Sequence, residues 1–227
     1  MRTARLVEYF QDLPALPDGD FLAGRSAELQ THLDRFRGRM AAQYMEGTLQ
    51  RLLDHPCSQA RRAALLALGL QGNMVSNAAV AQRLHDEDAQ VRRLAEDALW
   101  NIWFRAEGEA NMRELRRLTQ LKDLNKSLRG LDALIAKCPE FAEAYNQRAT
   151  IRVRKGEYHK AALDCRKALE RNQFHFGAQS GLAQCLVRMN KPRAALRAFR
   201  LALKINRELD GVAESIRELE ESLGEGK

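Results

Sequence analysis

Apolar and polar positions in the second half of the chain repeat every 34 residues. Residues 142–175 align without a gap on residues 176–209, and an alanine meets an alanine at three positions. The three pairs are Ala149 with Ala183, Ala161 with Ala195, and Ala168 with Ala202. Small residues at a fixed spacing let neighbouring helices approach closely, so the pattern predicts a stack of helix pairs.

Two further segments extend this stack. Residues 108–141 are a more degenerate copy of the same unit. Residues 210–223 have the pattern of one amphipathic helix, and its apolar stripe consists of Val212, Ile216, Leu219 and Leu223. The last unit of a repeat array otherwise exposes an apolar face, so we expect this C-terminal helix to cap it.

The first half of the chain repeats with a different offset of 31 residues. Residues 53–64 and 84–95 each run from a polar, acid-containing turn into a helix with paired arginines followed by alanine. The whole chain contains only five Pro and 14 Gly, which favours helices joined by short turns. Residues 1–25, with a loop at 14–20, are predicted to be a loosely ordered segment. The predicted helices of this half are 26–53, 58–71, 76–84 and 88–106.

The 34-residue units resemble tetratricopeptide (TPR) repeats. That family places an aromatic residue, Leu-Gly and Tyr on a first helix, and Ala and Phe four residues apart on a second. The residues that carry the resemblance are Tyr145, Ala149, Gly156, Ala161 and Cys165, then Leu182, Ala183, Leu186, Pro192, Ala195 and Phe199. The resemblance implies an all-α fold, an α-solenoid of antiparallel helix pairs. Its three TPR units would be 108–141, 142–175 and 176–209.

Some residues depart from the TPR pattern. Arg148 and Arg152 stand where the family usually has Leu and Tyr, and Gln179 replaces the usual aromatic residue. A buried arginine needs a carboxylate partner, because an unpaired buried charge is costly. We expect Arg148 to pair with an acid of a neighbouring helix, or else to reach solvent along its stem. The candidate acids are Asp123, Asp132 and Asp164.

Residues 43–105 resemble HEAT repeats, a family in which an acidic turn precedes a Val-Arg-x-x-Ala-x-x-Ala-Leu helix. This pattern occurs here at Asp86–Asp88 and Val91–Leu99. The resemblance implies a HEAT-like region over residues 26–107, ahead of the TPR units. The chain as a whole resembles bacterial TPR proteins with a tryptophan-rich lead-in, a group with no established activity to transfer.

Both tryptophans of the chain, Trp100 and Trp103, lie in the apolar segment 99–104. A helix that is apolar on several sides is buried on several sides. We expect this segment to be a hydrophobic joint between the HEAT-like region and the first TPR unit. The alternative is an exposed aromatic docking site.

The formal charge of +7 is unevenly distributed. Residues 1–107 carry 13 Arg, no Lys and 14 acids, a net charge of −1. Residues 108–209 carry 22 basic and 10 acidic residues, a net charge of +12, and residues 210–227 have a net charge of −4. A region as basic as residues 108–209 favours an acidic partner.

Motifs of catalysis and of cofactor binding are absent from the sequence. There is no G-x-x-x-x-G-K-[ST] phosphate loop and no H-E-x-x-H zinc motif. His55 and Cys57 are neighbouring ligand types, but no second pair is near them. The acidic run Asp86–Asp88 precedes a helix, so helix capping explains it better than a carboxylate site. We therefore expect no metal, no cofactor and no enzymatic activity.

The sequence also favours a cytoplasmic location. It has no run of about 18 apolar residues, so no transmembrane helix and no membrane partner are expected. The first ten residues lack the apolar core of a signal peptide. The cysteines form no Cys-x-x-Cys pair, which favours buried thiols in a reducing compartment. These cysteines are Cys57, Cys138, Cys165 and Cys185.

The TPR resemblance implies a concave groove lined by the first helix of each unit. Asn and Gln side chains in such a groove can donate to and accept from a peptide backbone. The residues in the groove register are Met112, Arg116, Thr119, Asn146, Thr150, Val153, Ser180, Gln184 and Val187. The Lys and Asn clamp with which some TPR co-chaperones hold a C-terminal carboxylate is not reproduced. The aligned positions have Met112, Arg116, Gln147, Gly177 and Gly181.

The second helices of the units carry a basic outer face. Its residues are Lys160, Arg166, Lys167, Arg171, Arg193, Arg197, Arg200 and Lys204. Such a face is either a solvated surface or a site for nucleic-acid backbone, because clustered Lys and Arg contact phosphates. Sparse aromatic residues argue against base stacking on single strands. Alternatively, the acidic C-terminal helix folds back and neutralises part of this face.

These patterns lead to one functional hypothesis and its alternatives. The leading hypothesis is a non-enzymatic scaffold or adaptor that binds an extended peptide or an acidic protein partner in the concave TPR groove. The alternative is an accessory protein that binds nucleic-acid backbone through the basic TPR face. A repeat-built enzyme would require a polar cluster in a cleft that the sequence does not reveal.

Overall fold

A computed structural model of the chain describes residues 2–14 and 27–224. Every regular element within these residues is helical, which confirms the all-α fold class. The chain divides into two compact units, one ending at Trp103 and one beginning at Phe104. None of the helices described is both long enough and apolar enough to cross a membrane.

Six α-helices begin within the described part of the N-terminal unit. They are α1 (Arg2–Gln11), α2 (Ala27–Gln43), α3 (Glu46–Leu52), α4 (Ser58–Gln71), α5 (Asn77–Gln82) and α6 (Ala89–Arg105). Single turns of 3₁₀ helix flank α5 at Met74–Ser76 and Arg83–His85.

The described part of the C-terminal unit contains seven further α-helices. They are α7 (Gly108–Thr119), α8 (Leu124–Lys137), α9 (Ala142–Arg154), α10 (Tyr158–Arg171), α11 (Phe176–Arg188), α12 (Pro192–Ile205) and α13 (Val212–Leu223). Short turns join successive helices, and each of α8 to α12 packs on the helix that follows it. The result is a TPR-type stack of helix pairs.

The 34-residue period of the sequence is visible in the turns of this stack. Gly156, between α9 and α10, has φ +74, and Asn190, between α11 and α12, has φ 54. Glycine adopts this left-handed conformation without strain, and Asn tolerates it better than most residues do. In both turns the next N–H donates back to the first helix at 2.9 Å, from Glu157 to Arg152 and from Lys191 to Leu186.

The repeated alanines form the contacts between these helices. All six are at most 3% exposed, and four of them lie in one core with Cys165 and Phe199. The members of this set are Ala149, Ala161, Ala183 and Ala195. The apolar stripe of α13 completes the same core, because Val212 is buried and Ile216 and Leu219 pack against it.

The expectation that Arg148 pairs with an acid of a neighbouring helix is confirmed. Its Nε donates to Asp164 Oδ2 at 2.9 Å and its Nη2 to Asp164 Oδ1 at 2.6 Å. Its Nη1 donates to Asp132 Oδ1 at 2.7 Å. Burial lowers the pKa of Arg148, but the bonds from these two carboxylates outweigh burial and raise it above its ordinary value. Asp123, the third candidate acid, instead caps α8.

Gln179, the other departure from the TPR pattern, is also satisfied by a partner. Its side chain is 7% exposed, and its Nε2 donates to the backbone carbonyl of Ala198 at 3.1 Å. A buried amide costs free energy unless it is hydrogen-bonded. This hydrogen bond therefore allows the polar side chain of Gln179 to be buried where α11 packs against α12.

The offset of 31 residues in the N-terminal unit corresponds to a repeated hydrogen-bond pattern. Arg61 and Arg92 occupy equivalent positions, and each Nη1 donates to two carbonyls in the turn before its own helix. Arg61 also bonds the Asp86 carboxylate at 2.7 Å, which joins one turn to the next. This geometry is compatible with the HEAT-like assignment, which stays a prediction.

The capping interpretation of the acidic run Asp86–Asp88 is confirmed. Asp88 Oδ1 accepts the backbone N–H of Val91 at 2.9 Å, at the start of α6. The side-chain bond from Arg62, together with the capping bond, holds the pKa of Asp88 below its ordinary value. The Asp86 and Asp88 carboxylates are therefore engaged in structure, whereas the Glu87 side chain is exposed.

Two parts of the N-terminal unit differ from the sequence prediction. The helix predicted at 26–53 is two helices, because Met45 is extended (φ −72, ψ 150). The Glu46 carboxylate accepts the backbone and side-chain N–H groups of Asn73, at 3.0 and 2.6 Å, and so fixes the start of α3 from outside. Residues 2–11 of the segment predicted to be loosely ordered form α1, whose Leu6 is fully buried. The predicted loop lies outside the described residues beyond Pro14.

The two tryptophans meet in an edge-to-face contact, with ring centres 5.1 Å apart. Trp103 is 1% exposed, and its indole N–H donates to Asn77 Oδ1 at 2.8 Å. Trp100 is half-buried. Trp103 is buried in the interior of the N-terminal unit. The alternative prediction, an exposed aromatic docking site, is therefore wrong for Trp103.

Asp164 offers a test of the buried ion pairs. It accepts from both Arg148 and Arg152, so Asp164→Ala leaves two guanidinium groups without their shared carboxylate. We expect the free energy of unfolding to fall by about 3–5 kcal/mol, measured by urea denaturation of the full chain. Asp132→Ala is the matched control, because Asp132 bonds the same arginine but is 56% exposed. The control should lose less than about 1 kcal/mol, and equal losses in both variants would contradict the assignment.

Candidate functional site

The predicted groove residues of α7 are partly covered. Met112, Arg116 and Thr119 are all half-buried. The Arg116 guanidinium lies 5.6 Å from the ring centre of Phe104, a cation–π distance. The Thr119 hydroxyl donates to the carbonyl of Arg116 at 2.9 Å. These side chains are thus partly engaged by α7 and its surroundings.

Asn146, on α9, is a correction to the predicted groove. It is only 7% exposed, and its Nδ2 donates to the Glu143 carboxylate at 3.3 Å. The side chain is therefore turned into the interior rather than offered to a peptide backbone. Of the other predicted groove residues on α9, Thr150 is exposed and Val153 is half-buried.

The predicted groove residues of α11 are the most accessible. Ser180 is half-buried, and Gln184 is exposed. Val187 is 42% exposed, which is high for an apolar side chain on a packed helix. An apolar side chain beside a free amide is a combination that suits contact with a peptide.

A pocket of about 430 Å³ lies where α11 faces α13. It brings together three of the nine predicted groove residues, which are Val153, Gln184 and Val187. The C-terminal helix supplies a second wall, which consists of Ser215, Glu218, Leu219 and Ser222. The remaining lining residues are Tyr158, Cys185, Arg188 and Phe199. The other six predicted groove residues do not line it.

The pocket has a mixed chemical character. Val187 and Leu219 provide apolar contact, and Gln184 provides an amide that can donate and accept. Arg188 and Glu218 are both exposed and carry opposite charges, so the lining has no dominant sign. Ligand pockets are commonly about 300–1,000 Å³ and largely apolar with a few polar groups. This pocket has room for one or two apolar side chains of an extended segment.

The basic outer face is largely exposed. Seven of its eight predicted residues are exposed, and these are Lys160, Arg166, Lys167, Arg193, Arg197, Arg200 and Lys204. Arg200 forms an ion pair with Glu220 of α13 at 2.7 Å, and Lys160 lies 3.3 Å from the Glu157 carboxylate. The expected fold-back of the acidic helix thus neutralises this face at Arg200.

Arg171, the eighth predicted residue of the basic outer face, contributes to packing rather than to the exposed charge. Its guanidinium lies 4.5 Å from the ring centre of Tyr145, and its Nε donates to the carbonyl of Pro139. The ammonium group of Lys167 lies 5.9 Å from the same ring. Tyr145 is buried, so these cations cover an aromatic residue at the edge of the core.

A buried polar network in the C-terminal unit has no counterpart in the sequence prediction. Glu143 and His175 are each 0% exposed, and His175 Nε2 lies 2.8 Å from Glu143 Oε2. His175 Nδ1 accepts the N–H of Ala178, so the ring proton is on Nε2 and is donated to Glu143. Gln147 Nε2 completes the network with a 2.6 Å bond to Glu143 Oε1. Glu143 and Gln147 share a helix face in the sequence, but His175 lies 32 residues from Glu143.

His55 and Cys57, the two neighbouring residues of metal-ligand type, are joined by a hydrogen bond from a backbone N–H to a side chain. The N–H of Cys57 donates to His55 Nδ1 at 3.1 Å. Across the residues that the structure describes, no group of three or more His, Cys, Asp and Glu side chains could hold a metal ion. Cys57 is exposed, whereas the other three thiols are buried as expected.

Comparison with known proteins bears on the C-terminal unit. Residues 142–175 match the family model of the tetratricopeptide repeat, and these are the residues of α9, α10 and their flanking turns. The chain is also 37% identical over 75 residues to a TPR repeat-containing protein of Rhizobium etli. That match covers 33% of this chain and 37% of the relative, so the chain spans just over a third of the relative's length.

Tetratricopeptide repeats in general mediate protein–protein interactions, through the surfaces that their stacked helix pairs create. The match falls on the unit with the repeated alanines and the left-handed turn residue Gly156. Residues 142–175 thus match a tetratricopeptide repeat, the C-terminal unit is a TPR-type stack of helix pairs, and the chain resembles bacterial TPR proteins.

Proposed function

We propose that this protein is a non-enzymatic adaptor of the cytoplasm that binds an extended segment of an acidic protein partner in the concave TPR groove. The observation that carries the proposal is the pocket between α11 and α13. Its lining includes Val153, Gln184 and Val187, which the TPR register assigns to the groove. An extended peptide would place an apolar side chain on Val187 and Leu219 and a backbone amide on Gln184.

The net positive charge of the C-terminal region supports an acidic partner through long-range attraction rather than through direct contact in the pocket. The pocket has both Arg188 and Glu218, whereas residues 108–209 as a whole have a net charge of +12. A long-range positive potential speeds the encounter with an acidic partner and fixes its orientation. The pocket then contributes the short-range fit, since apolar burial does not depend on charge.

Val187 gives the sharpest test of the groove. A phage-displayed peptide library would be selected on the immobilised full chain, and enriched sequences measured as synthetic peptides by calorimetry. Val187→Glu puts a charge into the apolar wall, so we expect at least a tenfold weaker Kd, or about 1.4 kcal/mol. The enriched peptides should be extended, carry one apolar anchor and have net negative charge.

Leu201→Glu is the matched control for this experiment. Leu201 is also an exposed apolar residue, at 49%, but it lies on α12 and does not line the pocket. The same substitution there should leave Kd within about twofold, which is less than 0.5 kcal/mol. Peptides that bind both variants equally well, or that lose binding only with Leu201→Glu, would rule the groove out as the site.

The alternative function is binding of nucleic-acid backbone through the basic outer face. The exposure of Arg193 and Arg197 on α12 favours it, because phosphate contacts need accessible Lys and Arg. The pair between Arg200 and Glu220 counts against it, since one cation of the face is already compensated. We therefore rank it second.

Salt dependence tests this alternative directly. If the outer face binds phosphates, a fluorescent random-sequence duplex should bind at about 0.1 M salt, with an affinity that falls steeply as salt rises. Replacing both Arg193 and Arg197 with Glu should then lower the slope of log K against log salt by about 2. Absence of binding at about 0.1 M salt would exclude the alternative without affecting the groove proposal.

A further inference from the structure

A smaller cavity lies between α1 and α2 in the N-terminal unit. Its volume is about 220 Å³. Helix α2 lines it with His32, Arg35, Phe36 and Arg39. These positions are spaced at i, i+3, i+4 and i+7, so they share one face of the helix. The cavity thus has a wall that is both basic and aromatic, and the proposed adaptor function makes no use of it.

Arg39 is held by residues on the α1 side of this cavity. Its guanidinium lies 4.7 Å from the ring centre of Tyr9, a cation–π distance, and 3.6 Å from the Asp12 carboxylate. Tyr9 and Asp12 also line the cavity. Arg39 and Asp12 have opposite charges, so together they add nothing to the net charge of the cavity wall.

Arg35 lacks a partner of this kind. Its side chain is exposed, and within residues 2–14 and 27–224 no carboxylate forms an ion pair with it. His32 is half-buried, and its ring makes no hydrogen bond within the same residues. An imidazole has at least one N–H donor whether or not it is protonated. The described wall therefore has the uncompensated positive charge of Arg35 and an unused donor beside it.

The rest of the cavity is largely apolar. Phe36 is 2% exposed and forms part of the floor, while Tyr9 and Leu13 are half-buried. The Tyr9 hydroxyl accepts from Gln43 Nε2 at 3.3 Å, which leaves its own proton available to a ligand. A volume of about 220 Å³ is roughly seven times the share of one liquid water molecule. Drug-sized ligands need about 300 Å³ or more, so the cavity suits a ligand of about one ring.

We propose that this cavity binds a small carboxylate with an apolar, ring-sized body. The ligand carboxylate accepts from the Arg35 guanidinium, whose planar fork of N–H groups matches two carboxylate oxygens. The His32 ring supplies a further donor to the same carboxylate. The apolar body lies against Leu13 and Phe36, and its burial adds affinity that an inorganic anion would lack. This site belongs to the N-terminal unit and does not depend on the proposed groove.

Benzoate is the probe for this proposal, because it combines one ring with one carboxylate. It would be titrated into the ¹⁵N-labelled full chain, with amide shifts followed by two-dimensional NMR. We expect saturable shifts at residues of α1 and α2, with a Kd on the order of 1 mM for so small a ligand. Neutral benzamide should bind about tenfold more weakly, because it forms no charge-assisted bond. Inorganic phosphate, which has charge but no ring, should also bind more weakly than benzoate.

Two arginines on α2 form a matched pair of variants. Arg35→Gln removes the uncompensated charge, so we expect the Kd for benzoate to rise about tenfold. Arg37→Gln is the control, because Arg37 is 52% exposed, pairs with Asp34 at 3.5 Å and does not line the cavity. The control should keep Kd within about twofold. Arg35→Lys retains the charge without the planar fork, so its Kd should lie between those of Arg35→Gln and the unsubstituted chain.

Three results would overturn the proposal. The first is the absence of saturable shifts at α1 and α2 with benzoate at about 10 mM, ten times the expected Kd. The second is equal affinity for benzoate and either benzamide or phosphate, since the site would then not need both charge and ring. The third is an equal loss of affinity in Arg35→Gln and Arg37→Gln. Binding of a peptide in the groove affects none of these readouts.

Discussion

The close approach of neighbouring helices over alanine is the constraint on which the C-terminal unit depends. The repeated alanines of α9 to α12 are almost wholly buried, at positions 34 residues apart. Helices that meet over such small side chains have little freedom to slide, because protein interiors are close-packed. Each helix therefore fixes the register of the next. That register decides which side chains meet, as Arg148 meets Asp164.

The same constraint explains how the chain accommodates polar residues at positions where the repeat usually has apolar ones. Arg148 and Gln179 are buried, and each has a partner on an adjacent helix. Glu143 and His175 likewise satisfy each other at zero exposure. A buried charge with a well-placed partner is tolerated, whereas removing the partner is costly. These polar contacts therefore make the stack specific, because a shifted register would leave several of them unpaired.

The apolar wall formed by Val187 and Leu219 and the exposed cations of the outer face lie on different helices of this unit. The pocket uses α11 and α13, whose Val187 and Leu219 are apolar. The exposed cations of the outer face lie on α10 and α12. Under the proposed function, such a division would let a positive potential attract a partner while the pocket selects its side chains. The helix register could be predicted for Gln184 and Val187 because exposure follows the helical period. The burial of Asn146 could not be predicted, because it depends on the inward orientation of Glu143. That orientation depends in turn on His175, which lies 32 residues from Glu143.

The sequence by itself determined the all-α class, the 34-residue period and the residues at which helices touch, because these follow from local spacing. Left-handed turns at Gly156 and Asn190 belong to the same local information. Only the tertiary structure determined that Arg148 pairs with Asp132 and Asp164 rather than with Asp123. The break between α2 and α3 at Met45 and the wall that α13 adds to the pocket were likewise decided by the tertiary structure. Each of these outcomes depends on groups far apart in the chain, such as Glu46 and Asn73, 27 residues away. A periodic pattern states which faces are buried, but only the packed chain determines which buried groups meet.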